Sequence, residues 1–473
     1  MDRKRSILIV GGGTAGWLTA AYLAKSLELS HGGRLEITLV ESPEIGIIGV
    51  GEGTFPTIRT TLQFLGIDEM RFIRQASATF KQGIRFVDWL HTPDSDKHSH
   101  YFHPFEAPFY SEEASLVPYW LLQDEATRPP FAEAVTFQNR VAEAKRGPKR
   151  PNEGDYQGPL NYAYHFDAVK LSQVQADLYI DCTGFRAELI DGAMKVPFKS
   201  ARKTLFTNRA LACKIPYDKP DAPLESYTIA TAHEAGWIWD IGLNDARGIG
   251  CVYSSYHIEE ILRGYVGAAD FELNARKIEF ETGYRERHWV KNCVAVGLSG
   301  GFLEPLESTG LVLIEAAIGM IAELFPHNGP IDAPARRFNA LMTARYDTII
   351  NFLKLHYCLS QRTEPFWRNN ANPESIPAQL SDLLEQWRYR PPGRFDFTLD
   401  VESFAFFNYQ YILYGMGFKT DLSPGRSDYP NVAAAAKTFA KIKGFGERAT
   451  LDLPAHRALI GEINARDPDR LVA

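Results

Sequence analysis

The sequence predicts an α/β fold with a βαβ Rossmann start, mixed sheets behind it and a mainly helical C-terminal part. Three observations carry that prediction. An apolar strand at 6–10 runs into a glycine turn and an Ala/Leu-rich helix at 17–27, and a second apolar strand at 35–40 is closed by Glu41. Strand-like runs return through the middle of the chain. From Gly310 onward the apolar spacing is helical.

Each element follows from local chemistry. Gly11-Gly12-Gly13-Thr14-Ala15-Gly16 is the turn between first strand and first helix, and the passage from Ile45 through Gly49 to Thr54 is too poor in polar groups for an ordinary surface loop. Residues 57–65 and 68–76 read as helices. Residues 91–159, rich in Pro, His and aromatics with a basic stretch at 145–150, read as long loops and short helices covering something. Strands follow at 178–182, 228–232, 237–243, 250–254 and 292–296, and helices at 311–324, 335–357 and 376–387. The last hundred residues continue in helical style, without repeat or low-complexity tail. One junction does not parse. Asp167 should cap a helix at 168–171, yet a strand enters at Ala176, and a parallel crossover needs about a dozen residues or more.

Composition excludes several classes. A length of 473 residues suggests about three domains at roughly 150 residues each. An apolar share of 45% with 23% charged excludes wholesale disorder. The net charge of −7 argues against nucleic acid as a partner. No run approaches the roughly 18 apolar residues that span a membrane. The apolar run after the basic N-terminus ends at Gly11, so it is a strand rather than a signal peptide. Five scattered cysteines without CxxC point to a reducing compartment and no metal cage. The expectation is a cytoplasmic enzyme.

Five stretches hold residues of candidate chemistry. Gly11-x-Gly13-x-x-Gly16 between strand and helix fits a dinucleotide fingerprint, the backbone approaching a pyrophosphate at a helix N-terminus and Glu41 meeting a ribose hydroxyl. The loop alone does not choose between FAD and NAD. Glu304-Pro305-Leu306-Glu307-Ser308-Thr309-Gly310 opens a helix. Its bland reading is a capping segment; its sharper reading is an anion site at the amides of Thr309 and Gly310 beside Glu307. Lys81, on a strand-like run, would by default snorkel to solvent. Trp237-Ile238-Trp239-Asp240-Ile241-Gly242 alternates as core packing does. His98, His100 and His103 sit in a polar loop without zinc-site spacing, so no metal is expected.

Together these pieces resemble the flavin-dependent halogenases of the tryptophan-halogenase family over nearly the whole chain. The residues that carry the resemblance are Gly11 to Trp17, Gly49-Val50-Gly51-Glu52-Gly53-Thr54, Phe80-Lys81-Gln82-Gly83, Trp237-Ile238-Trp239-Asp240-Ile241, and Phe302-x-x-Pro305-x-x-Ser308-x-Gly310. The resemblance implies an FAD-binding domain of the glutathione-reductase type. It also implies reduced FAD delivered by a separate NAD(P)H-dependent flavin reductase, oxygen, and chloride or bromide converted to hypohalous acid. Lys81 would hold that oxidant and Glu307 would assist, orienting it or accepting the arene proton. Thr309 and Gly310 match halide contacts. Gly11, Gly13, Thr14, Ala15, Gly16, Glu41, Gly49, Leu298 and Leu311 match the flavin side, and residues 49–54 a strap between the two sites. Trp237, Trp239, Phe302, Pro305 and Ser308 become walls of the oxidant's path.

The implied organisation is an FAD module at 1–100 and 160–330, covering loops at 101–159, and a helical substrate module at 331–473, as monomer or homodimer. Three departures stand out. Ile241 is followed by Gly242 where the family has proline. The long segment the family carries before its Ala-Asp-Leu-x-Ile-Asp-Cys-Thr-Gly strand is nearly absent between Leu171 and Ala176. Either the protein lacks it or the sequence as written omits it; loss of part of the flavin domain's sheet favours omission, and a smaller omission is suspected at 257–259. Finally, residues 404–418 are aromatic and nearly uncharged, without the tyrosine and glutamate cluster that holds free tryptophan, so an indole-like or phenolic arene is expected. The rival readings are a single-component aromatic hydroxylase and a flavin-binding protein without catalysis.

Overall fold

The computed structural model describes residues 5–27, 35–41, 52–93, 98–111, 114–166, 178–254, 275–326, 329–398 and 402–465. Gly49, the junction at 167–177 and the residues at 257–259 lie outside them. Strand β1 (Arg5–Val10) is followed by helix α1 (Thr14–Ser26) and strand β2 (Leu35–Val40). The helix starts three residues earlier than its apolar pattern predicts because Gly13 already serves as its N-cap. β1 is an inner strand of a five-stranded sheet, parallel to β2 on one side (Ile7↔Ile37) and to Leu178–Asp181 on the other (Ile7↔Leu178). Ile7, Leu8 and Ile9 are buried on both faces of the sheet, which is why the strand reads as a continuous apolar run.

Next come β3 (Glu52–Gly53), helix α2 (Thr57–Leu65), β4 (Thr79–Lys81), β5 (Gly83–Val87) and β6 (His100–Pro104). β3 and β4 flank the Ala163–Phe166 strand in a small sheet, whereas β5 and β6 close one side of a seven-stranded sheet. Gln82 is the single residue between these sheets; its amide N–H donates to the Ser226 carbonyl at 2.6 Å. A Cβ on Gly83 would stand 2.5 Å from the His103 carbonyl oxygen, so glycine lets β5 lie against β6. Lys81 therefore sits at a corner fixed by two sheets.

The expected elements need correction in three places. His100 and His103 lie not in a polar loop but on β6, whose position at the sheet edge tolerates Pro104. Arg209–Pro216, not foreseen as a strand, pairs on both sides in the same sheet. The strand before Ser254 is also longer than read, at Ala246–Tyr253. The helical half has its long member at Asp332–Cys358, whose last turns, Ile349 to Tyr357, are buried all round. One contiguous core runs from Ile7 to Ile463 and joins both halves.

Candidate active site

The glycine turn has the shape its sequence suggests. Gly11 adopts φ +109°, and a Cβ there would stand 2.2 Å from the Cys182 carbonyl oxygen; one on Gly16 would stand 1.8 Å from the Gly11 carbonyl oxygen. A Cβ on Gly13 would meet nothing within 4 Å, so the loop is tight behind and open in front. Glu41 is buried against Gly12, and its Oε2 has no hydrogen-bond partner among the described residues. The turn carrying Leu298 packs on the same loop: Gly297 at φ +74° would put a Cβ 2.9 Å from that of Ala15.

The second cluster forms around Lys81. Its side chain is fully buried, and Nζ donates to Ser308 Oγ at 2.8 Å and lies 5.9 and 5.5 Å from the ring centres of Phe55 and Phe105. Burial lowers its pKa to about 7, the Glu307 charge pulling the other way. Gly53 is needed beside it, since a Cβ there would stand 2.6 Å from Ser308 Oγ. Ser308, at φ +56°, is a non-glycine residue in the left-handed region and the N-cap of helix Thr309–Leu324. Its hydroxyl does not cap that helix but accepts from the lysine. Thr309 Oγ1 is buried without a partner among the described residues, and Gly310 faces open space.

Glu307 is fully buried, and His103 Nδ1 approaches its Oε1 at 3.0 Å and Oε2 at 3.2 Å. His356 Nε2 approaches Oε1 at 2.9 Å. Burial pushes this carboxyl up, but the charge and hydrogen bonds of the two imidazoles outweigh it and hold it at about 2. Trp237 and Trp239 share one face of strand Gly236–Gly242 with ring centres 6.1 Å apart, and Trp237 continues to Trp89 at 6.4 Å. Phe302 packs on Phe280 at 4.7 Å, while Pro305 is exposed.

The model of the tryptophan halogenase family matches residues 6–174 and 172–428, two stretches that meet where the sequence does not parse. The tryptophan 6-halogenase SttH of Streptomyces toxytricini is 32% identical over 501 residues, covering 92% of this chain and 94% of that protein. A crystal structure of a tryptophan halogenase from Shewanella frigidimarina superposes with a TM-score of 0.91 at 36% identity, covering 98% of each chain. The chain belongs to the tryptophan halogenase family. Tar14, a tryptophan C-6 flavin-dependent halogenase from taromycin biosynthesis, is similar at a TM-score of 0.88 and 32% identity, over 98% of this chain and all of that one. This halogenase is accordingly a halogenating enzyme of a flavin-dependent family, which implies FAD and a halide. Among the described residues no helix is long and apolar enough to cross a membrane.

The residues fit both groups. The open front of the Gly13 turn and the orphaned Glu41 oxygen suit a dinucleotide's pyrophosphate and ribose, and the orphaned Thr309 hydroxyl at a helix N-terminus suits an anion. No motif in the sequence of this halogenase marks His356, and His103, expected in a loop, stands on β6. A signal for His356 existed: Asn351, Lys354 and His356 interrupt a run of Ile, Phe and Leu that is apolar all round, which marks a helix buried on every face. Polar residues there must have buried partners.

Proposed function

We propose that this halogenase uses reduced FAD, oxygen and chloride or bromide to form hypohalous acid, which halogenates an electron-rich arene of tryptophan, indole or phenol type at Lys81 and Glu307. The observation that carries the reading is Lys81: a fully buried amine near its neutral form, held at a sheet corner against Ser308. An unprotonated amine can take up electrophilic halogen or hydrogen-bond the oxidant. FAD, when bound, supplies the activation of oxygen, and a separate flavin reductase supplies it reduced. The Gly11–Gly16 turn binds its pyrophosphate and Glu41 its ribose. The amides of Thr309 and Gly310 hold the halide, and Trp237, Trp239 and Phe302 wall the oxidant's path from water. Residues 1–100 and 160–330 form the flavin module and 331–473 the substrate module.

The substrate end favours an apolar arene. Phe404 is fully buried, with ring centres 3.9 Å from Phe352 and 5.3 Å from Phe55, and Phe55 lies 5.5 Å from Phe105. Phe55 and Phe105 flank Lys81, and an apolar aromatic lining of this kind suits a flat uncharged ring better than a zwitterion. The test supplies reduced FAD from an unrelated reductase, with bromide or chloride and an arene panel. Mass-shifted halogenated product is expected, and hydroxylated product alone would favour the single-component hydroxylase. Tight, saturable binding of L-tryptophan would sink the preference for simpler arenes.

A further inference from the structure

The hydrogen bonds around Glu307 restrict where its protons can be. His356 Nδ1 lies 2.9 Å from the Phe352 carbonyl oxygen, which can only accept, so Nδ1 carries a hydrogen. His103 Nε2 lies 2.9 Å from Asn408 Oδ1, and the Asn408 amide nitrogen donates to the Ala405 carbonyl at 3.2 Å, so Nε2 carries one as well. Both remaining nitrogens face Glu307 oxygens. Two inner contacts therefore need two hydrogens. With one, a nitrogen lone pair faces a carboxylate lone pair among fully buried side chains. A second hydrogen completes both contacts and leaves no orphaned atom.

We propose that His356 is a positioning residue that shares the arene proton with Glu307, the proton acceptor being the Glu307–imidazole contact rather than the carboxylate alone. The inference rests on the halogenase reading above. In the step, ring π electrons form the carbon–halogen bond, and the oxygen–halogen bond breaks to release hydroxide. The C–H bond then breaks, its electron pair restoring the aromatic ring and its proton going to the contact between Glu307 Oε1 and His356 Nε2. That proton and the hydroxide leave as water on turnover, so arene and hypohalous acid become haloarene and water. The ring of His356 is enclosed by Phe86 at 5.0 Å, Trp89 at 6.0 Å and Phe352 at 5.2 Å. Lys81 and Tyr101 also feel the Glu307 charge.

The test is His356→Gln, which keeps an N–H donor for Glu307 but cannot take up a proton. Wild type and variant halogenate a mixture of ordinary and ring-deuterated indole, and the isotope content of the product is read by mass. With a ready acceptor, proton loss is fast and the wild type does not discriminate. The variant is expected to discriminate against deuterium and to lose kcat by about ten- to a hundred-fold, with KM and FAD binding unchanged. A slower variant without isotope discrimination would reduce His356 to a structural role and overturn the proposal, as would an unchanged rate or discrimination already present in the wild type. Absence of halogenated product from the wild type would overturn the halogenase reading itself, and the proposal with it. His356→Asn serves the same test where the Gln variant does not fold.

Discussion

Glu304 and Glu307 stand three positions apart on one segment, both fully buried, and end at opposite ends of the carboxylate range. Burial pushes both up. Glu304 meets the hydroxyls of Thr207 and of Tyr357, the latter at 2.5 Å, with the Lys354 charge nearby, and settles at about 7. Glu307 meets two imidazoles and settles at about 2. Adjacent residues of one helix serve them, His356 for Glu307 and Tyr357 for Glu304. Partner chemistry, not depth, separates the two: hydroxyls offer dipoles, imidazoles offer charge as well. One carboxyl is thus kept ionised, and the other is held where it can be neutral.

The comparison breaks most severely when the amine beside it is removed. Lys81→Met is expected to lower halogenation by about a thousand-fold or more while FAD still binds. It should also stabilise the protein. A lysine whose folded pKa is about 7 against 10.5 opposes folding in its charged form, fully below pH 7 and less and less toward pH 10.5. The variant's advantage, roughly 3–5 kcal/mol at pH 6, should therefore shrink as pH rises, which denaturant melts at several pH values will read.

Paired substitutions sharpen the contrast directly. Glu307→Gln should cost about a hundred-fold or more in product formation, and Glu304→Gln less than about ten-fold. If both cost the same, partner chemistry does not assign the roles. The two carboxyls also act on stability with opposite sign, since a lowered pKa supports the fold near neutral pH and a raised one opposes it. Glu304, with its folded pKa raised from 4.5 to about 7, holds its proton where the unfolded chain has lost it. Wild-type stability consequently falls as pH rises from about 4.5 to 7, by about 3 kcal/mol, and Glu304→Gln should flatten that slope in pH-dependent melts.

The unequal legibility of the sequence follows the same division between local and distant chemistry. β1, the glycine turn, α1 and β2 were readable because each signal lies within a few residues: a run of Ile and Val, a turn only glycine fits, an acid at the strand end. Arg209–Pro216 was not, because Ala210 and Ala212 are too small to mark a buried face and Lys214 interrupts the run. β6 was hidden by its histidines and proline. The hydrogen bonds that set Glu307 come from residues 204 and 49 positions away, and no local periodicity encodes such partners. Lys81 illustrates the limit in one residue: its strand was evident, its burial was not.

Ser308 gives the smallest effect and the finest distinction. A serine before a helix usually caps it, and losing such a cap costs about 0.5–2 kcal/mol. Here the hydroxyl caps nothing; it accepts from Lys81 Nζ at 2.8 Å. Ser308→Ala removes the lysine's acceptor but keeps Cβ and leaves the helix amides as they were. Stability should change by less than about 0.5 kcal/mol, while halogenation falls several-fold because Nζ loses the contact that aims it. The opposite result, a melt shifted by a full cap's worth with turnover intact, would return this segment to a helix start and separate Lys81 from the machinery that Glu307 serves. Glycine at 308 is the control for the backbone, since it relieves the φ of +56° and deletes the hydroxyl together. A gain in stability with the same several-fold loss of activity is expected, placing the strain at Ser308 on the side of function.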